Sequence, residues 1–193
     1  MAEGDQQVLR AGQLLVATPR LADPNFERSV VLVLDHDESG SLGVVLNRPS
    51  PVPVGEILED WQELVAEPGV LFHGGPVGTD SALAVASIPV GQDPEEDPVG
   101  FRRLFADTGI IDLDTPTELL DSAISRLRIF AGYAGWGDGQ LVAEVEEGSW
   151  YVLPLEAGDV FGSDPERLWA HVLRRQPGEL AWVSTRPADP TMY

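Results

Sequence analysis

Ile129-Phe130-Ala131-Gly132-Tyr133-Ala134-Gly135-Trp136-Gly137-Asp138-Gly139-Gln140-Leu141-Val142-Ala143-Glu144-Val145-Glu146-Glu147-Gly148-Ser149-Trp150 is the stretch on which the reading of the chain turns. Ile129 to Ala131 is the apolar run of a buried strand. Gly132, Gly135, Gly137 and Gly139 then predict a turn that residues carrying a Cβ resist. A short helix should follow, capped by Asp138, with Leu141 and Val145 four apart on one face. Gly148 is placed to stop that helix from the left-handed region. A strand, a glycine turn and a helix N-terminus in this order aim free backbone N–H groups at one point, which suits an anion or a carbonyl. Gly135, Gly139 and Gln140 are candidate ligand residues on that ground. Tyr133 and Trp136 either wall a cleft there or plug the core above the helix, the plug being the simpler reading.

Working outward, Gly12–Ala17 reads as a strand, and Ser29–Leu34 and Leu42–Asn47 as an antiparallel hairpin joined at Asp35–Ser41. Neither hairpin strand alternates in polarity, so both are expected to be buried on two faces. Arg48–Pro53 is a rigid extended passage. Val54–Val65 carries a helical stripe of Ile57, Leu58, Trp61, Leu64 and Val65. Val70–Phe72 is a short strand that enters the turn His73-Gly74-Gly75-Pro76, with Ser81–Ser87 as its expected antiparallel partner. Phe101–Leu113 holds one or two strands. Capping-box patterns at Thr115–Glu118 and Ser163–Glu166 start two further helices, the first running to about Arg126. The second buries Leu168, Trp169, Val172 and Leu173. Trp150–Leu153 and Leu180–Val183 read as strands. Helices interrupt hairpins irregularly, which indicates α+β with a mostly antiparallel sheet.

The 193 residues are expected to form a single domain, with 1–8 and 186–193 flexible and 90–100 an acidic, mobile loop. There is no Cys, which excludes disulfides, thiolate metal sites and a cysteine nucleophile. The polar N-terminus is no signal peptide, and no apolar run approaches the roughly 18 residues that span a bilayer. A cytoplasmic protein without membrane contact is the expectation. Formal net charge is −20, with 32 acidic residues against 12 basic ones, all of them Arg. Such a field repels nucleic acid, whose binding rests mainly on neutralised phosphates, so no direct nucleic-acid contact is expected.

Candidate chemistry is sparse. Asp35-x-Asp37-x-Ser39-Gly40 opens like a calcium loop, but its twelfth position is Leu46 and strands flank it, so a hairpin turn is expected. His73-Gly74-Gly75-Pro76 is similar to an esterase oxyanion loop, yet no serine has the nucleophile-elbow setting. His36, His73 and His171 lack metal-ligand spacing, and neither metal nor cofactor is expected. Arg28 precedes one hairpin strand, and Asn47-Arg48 ends its partner. Antiparallel pairing brings those ends together, so Arg28, Asn47 and Arg48 are candidates for a focused anion site. Simple ion pairing of the two arginines to Glu27 or Asp23 is the competing reading.

Several blocks, in order, resemble the YqgE/AlgH family of bacterial proteins. They are Gly12 to Val31 around Asp23-Pro24-x-Phe26-x-Arg28-Ser29, then His36 with Gly43-x-Val45-Leu46-Asn47-Arg48-Pro49. Gly74-Gly75-Pro76-Val77 follows, and then Tyr133-Ala134-Gly135-Trp136-x-x-Gly139-Gln140-Leu141 with Glu144 and Trp150. Val142, Val145 and the 90–100 loop depart from the family pattern. The resemblance implies an α+β fold whose antiparallel sheet bends toward a pseudo-barrel, with about four helices around it. It carries no established enzyme activity; one branch is described as regulating alginate genes, which implies a regulatory role. The expectation is a non-catalytic binding or regulatory protein whose partner is a protein or a small anionic ligand. Its candidate site residues are Arg28, His36, Asn47, Arg48, Gly74, Gly75, Tyr133, Gly135, Trp136, Gly139 and Gln140. The rivals are a hydrolase or transferase using Asp138 or Glu144 beside His36 or His73, and a DNA-binding regulator.

Overall fold

A computed structural model describes residues 8–188. The ends expected to be flexible fall largely outside that range. Val30–Asp37 (β2) shows why the apolar runs lack alternation. Val30, Leu32 and Leu34 face one buried cluster, while Val31 and Val33 face another on the opposite side of the sheet. A strand covered on both faces has no position that favours a polar residue. Its neighbours are Gln13–Ala17 (β1) and Gly40–Val45 (β3), both antiparallel to it.

The remaining strands are Pro49–Pro53 (β4), Val70–His73 (β5), Val77–Ser87 (β6), Phe101–Phe105 (β7), Thr108–Ile111 (β8), Arg126–Gly137 (β9) and Trp150–Pro154 (β10). They form a curled half-barrel in the order β10-β1-β2-β3-β9-β6-β8-β7, with β4 and β5 branching from β9. All ladders are antiparallel except β5–β9. Four helices pack around the sheet: Val54–Ile57 (α1), Gln140–Glu146 (α2), Leu168–Arg174 (α3) and Glu179–Val183 (α4). The α+β, mostly antiparallel expectation holds. No helix among the described residues is long and apolar enough to cross a membrane.

Five local expectations give way. The glycine stretch is not a turn: β9 runs through it to Gly137, pairing β3 at Ala134–Gly137. Gly132, at φ +74°, permits close approach, since a Cβ there would lie 2.5 Å from the Gly75 carbonyl oxygen. The turn is only Asp138-Gly139, and Gly139 in the left-handed region, not Asp138, precedes the helix. Val54–Val65 is not one helix, because Leu58 leaves helical geometry (φ −132°, ψ 77°) and only a 3₁₀ turn at Glu59–Trp61 follows. The Gln62 side chain holds this break: its amide oxygen accepts from the Gly55 N–H at 2.6 Å and its amide nitrogen donates to the Gly69 carbonyl at 3.1 Å. Ile57, assigned to the buried stripe, is 64% exposed.

The helix expected from Thr115 to Arg126 shrinks to a 3₁₀ turn at Thr117–Leu119 with no side-chain cap. Ser125 already donates to the Ser87 carbonyl at 2.8 Å, which starts the β6–β9 ladder. Leu180–Val183 is helical, not extended: Gly178 at φ +70° turns the chain so that α4 packs on α3. Ser81–Ser87 pairs β8 and β9, not β5, because β4 and β9 take the two edges of β5. The α3 core face is as expected, although Asp164 makes no cap bond and a 3₁₀ turn at Pro165–Arg167 leads in. The acidic loop is anchored at its far end, where Asp97 takes two bonds from Arg103 at 2.6 and 3.1 Å.

Candidate functional site

The loop between β1 and β2 makes one helical turn, with Phe26 and Glu27 N–H groups both donating to the Asp23 carbonyl. Arg28 ends that turn at φ +54°, a left-handed conformation that costs an L residue roughly 1–2 kcal/mol. Asn47 and Arg48, between β3 and β4, hold the loop in place. The Asn47 amide oxygen accepts from the Val30 N–H, and its amide nitrogen donates to the Arg28 carbonyl, both at 2.9 Å. Arg48 donates to the Asn25 carbonyl and, at 2.9 Å, to the Glu27 carbonyl. The expected meeting of Arg28 with Asn47 and Arg48 therefore occurs, but through main-chain acceptors. Neither arginine has an ion-pair partner among the described residues. Burial pulls the pKa of each below the ordinary arginine value, opposed by the charge of Glu27 and, for Arg48, of Asp23.

The two guanidinium groups part ways from there. Arg28 lies over the Trp169 ring, 3.9 Å from Cζ to centroid, and donates to the Arg186 carbonyl at 3.0 Å. Trp169 is fixed in turn by its indole N–H, which donates to the Ala17 carbonyl at 2.9 Å. The cleft around them, of about 600 Å³, is walled by Pro19, Leu21 and Trp169 and carries Arg28, Arg186 and Glu27. Arg48 lines a separate cavity of about 300 Å³ with Asn25, His73, Gly75, Pro76 and Thr79. Gly74 and Gly75 form its bend, where a Cβ would lie 2.3 Å from the Gly132 oxygen and 2.2 Å from Tyr133 backbone atoms respectively. Tyr133 thus joins this group through its backbone.

His36, Gly135, Trp136, Gly139 and Gln140 lie elsewhere, toward the β2–β3 turn and the end of β9. His36 pairs Ser41 across the hairpin, with Nδ1 2.6 Å from the Ser41 hydroxyl, and Ser41 pairs Trp136. Trp136 is a core plug, stacked with Phe26 and edge-on to Trp150. Glu144 Oε2 accepts from both indole N–H groups, of Trp136 and Trp150, at 2.9 Å each. Its Oε1 accepts from the Gln140 amide at 3.0 Å, while the Gln140 oxygen takes the Gly137 N–H at 3.0 Å. The convergent N–H groups expected here are thus partly answered from within. Asp138, Glu144, His36 and His73 share no hydrogen bond or ion pair with one another among the described residues. Within Asp35–Gly40 only Glu38-Ser39 turns, since Asp35–Asp37 belongs to β2 and Gly40 to β3; Asp37 accepts from the Ser39 amide and hydroxyl. No cluster of metal-binding side chains occurs among the described residues.

Two important groups escaped sequence reasoning. Trp169 was assigned only to the core, and its pairing with Arg28 joins residues far apart in the chain. Arg128 is 1% exposed and has no carboxylate partner among the described residues. It lies over Phe72 and donates to the Val160, Glu67 and Gly162 carbonyls at 2.7, 2.7 and 3.2 Å. Burial lowers its pKa from the ordinary arginine value to about 10.

The sequence matches the AlgH-like family over residues 14–181, nearly the whole of the sheet and α3. The chain belongs to the AlgH-like family. Among AlgH-like relatives, a UPF0301 protein of Streptomyces coelicolor is 64% identical over 181 residues, with 94% of each chain covered. One from Mycobacterium tuberculosis is 45% identical over 183 residues, covering 95% of this chain and 90% of its own. The crystal structure of a Corynebacterium diphtheriae protein superposes with a TM-score of 0.87 at 34% identity, covering 93% of each chain. The solution structure of the AlgH protein from Pseudomonas aeruginosa gives 0.65 at 26% identity, over 92% of this chain and 94% of that one.

Proposed function

We propose that this AlgH-like chain is a non-catalytic, cytoplasmic binding protein that takes an anionic ligand in the cleft at Arg28. One observation carries the reading. Arg28 is held in a strained left-handed conformation on the face of a buried tryptophan, inside an apolar-walled cleft, without an ion-pair partner among the described residues. Backbone strain retained in a folded protein points toward function, and a guanidinium with unoccupied N–H groups is suited to carboxylate or phosphate. The cleft volume falls within the roughly 300–1,000 Å³ of small-molecule sites. Trp182, 77% exposed on α4 ahead of Arg186, favours a second reading in which the anionic group is carried by a partner protein.

Direct nucleic-acid binding is disfavoured by the net charge and by the arginines themselves. Arg103 and Arg175 are ion-paired to Asp97, Asp107, Asp159 and Glu156, and Arg128 is buried. The test is a thermal-shift screen of di- and tricarboxylates, phosphate esters and acidic peptides, followed by indole N–H NMR. The expected result is a saturable shift of the Trp169 signal that Arg28→Gln removes. If no compound gives a shift that depends on Arg28, the reading is wrong.

A further inference from the structure

The second cavity is built differently from the first, and its chemistry is more restricted. The β4–β5 ladder ends with the His73 N–H donating to the Arg48 carbonyl at 2.8 Å, which sets these two residues side by side. The bend after β5 is pinned to β3, where the Val45 N–H donates to the Gly74 carbonyl at 2.9 Å. Thr79 arrives from the irregular stretch of β6, where its register with β9 shifts between Val77 and Ala82. Three independently anchored segments thus converge on about 300 Å³.

The polar groups of the lining, set among Val45, Gly75 and Pro76, are rich in donors. Arg48 presents five N–H groups, of which the Asn25 and Glu27 carbonyls take two. The His73 imidazole, the Thr79 hydroxyl and the Asn25 amide add donors. Among the described residues no carboxylate lines the cavity, although the chain carries 32 acidic residues. Glu27 and Asp23 act on Arg48 only through space. A local excess of donors in a field that is otherwise strongly negative selects for a compact anion that can accept several bonds at once. We propose that this cavity is a second anion site, distinct from the Arg28 cleft, and that it takes a small oxyanion headgroup, phosphoryl or carboxylate. Its volume lies at the lower limit for ligand pockets, which fits a headgroup and not a nucleotide.

The test uses the full chain, isotope-labelled, titrated with inorganic phosphate and separately with acetate, against sodium chloride at equal ionic strength. Saturable shifts of the His73 ring and the Gly75 and Thr79 amides are expected, independent of any response of the Trp169 indole. A charge-assisted bond is strong enough that Arg48→Gln should weaken binding about tenfold or more. His73→Gln and Thr79→Val, which touch none of the bonds Arg48 makes to the loop, should weaken it several-fold while leaving the fold intact. Arg28→Gln should leave it unchanged, which separates this site from the Arg28 cleft. Response to phosphate alone assigns a phosphoryl site, and response to acetate alone a carboxylate site. Shifts that rise linearly, that chloride reproduces, or that survive both Arg48→Gln and His73→Gln overturn the proposal.

Discussion

Glu144 offers a measurement in which hydrogen bonding and net charge oppose one another. Its Oε2 accepts from two indole N–H groups whose rings are almost wholly buried. Glu144→Ala leaves both donors without an acceptor. Losing a bond to a charged group costs about 1.5–3 kcal/mol, and water can reach the half-buried carboxylate position, so a total of about 3 kcal/mol is expected. Glu144→Gln keeps one oxygen for both indoles and turns its amide toward Gln140, at the exposed rim. It loses charge assistance and also the Gln140 bond, because two amide donors then face each other at a solvated rim, together about 1 kcal/mol. Each kcal/mol lowers Tm by roughly 2–4 °C at this chain length, which gives about 2–4 °C for Gln and about 6–12 °C for Ala. Both variants also remove one negative charge from a chain at −20, which relieves self-repulsion equally. The difference between them therefore isolates the acceptor. Calorimetry gives the two Tm values, and the indole N–H resonances of Trp136 and Trp150 give the local effect. An Ala variant as stable as the Gln variant, or indole protons unmoved in either, would refute the argument.

Two further outcomes are expected. Arg128→Met keeps contact with Phe72 but leaves the buried Val160 carbonyl unpaired, while the Glu67 and Gly162 carbonyls lie near enough to solvent to hydrate. The folded pKa of about 10 lies below the ordinary arginine value, so burial of the cation opposes folding at neutral pH, an opposition that lifts as pH rises through 10. The Met variant escapes that cost, so the net loss should be about 2 kcal/mol, below the sum of three charged bonds; chemical denaturation showing no loss would refute this. Asp37 is held below its ordinary carboxylate value of 3.8, first by the Ser39 hydroxyl and then by the Ser39 amide. Its contribution to the hairpin is therefore present above pH 3.8 and fades as the pH falls through its lower folded value. A carboxyl ¹³C titration of Asp37 with a midpoint at or above 3.8 would contradict the turn geometry.

The α+β class and the β2–β3 hairpin were legible because apolar runs such as Val30 to Leu34 admit few alternatives once both faces are covered. Helix boundaries were not, since a stripe of four or five apolar residues is consistent with one turn as well as three. At Val54–Val65 the deciding contact is a Gln62 side chain reaching back to Gly55, which no periodicity reveals. The glycines of β9 misled for a related reason. Glycine serves turns and close backbone approach alike, and only the folded neighbour, Gly75 against Gly132, distinguishes them. At the candidate sites, antiparallel pairing correctly brought Arg28 toward Asn47 and Arg48. The opposite directions of the two guanidinium groups follow from the left-handed backbone at Arg28 and from Trp169, a residue of the last third of the chain.

Asn47 and Arg48 grip the β1–β2 loop solely through its main chain, at Asn25, Glu27, Arg28 and Val30. The shape of that loop is thus encoded outside it, in a dipeptide of the connection between β3 and β4. Substitutions at Asn25 and Glu27 can retune the two cavities they border without rebuilding the scaffold. Relatives that keep the dipeptide can diverge in what they recognise while their folds stay alike.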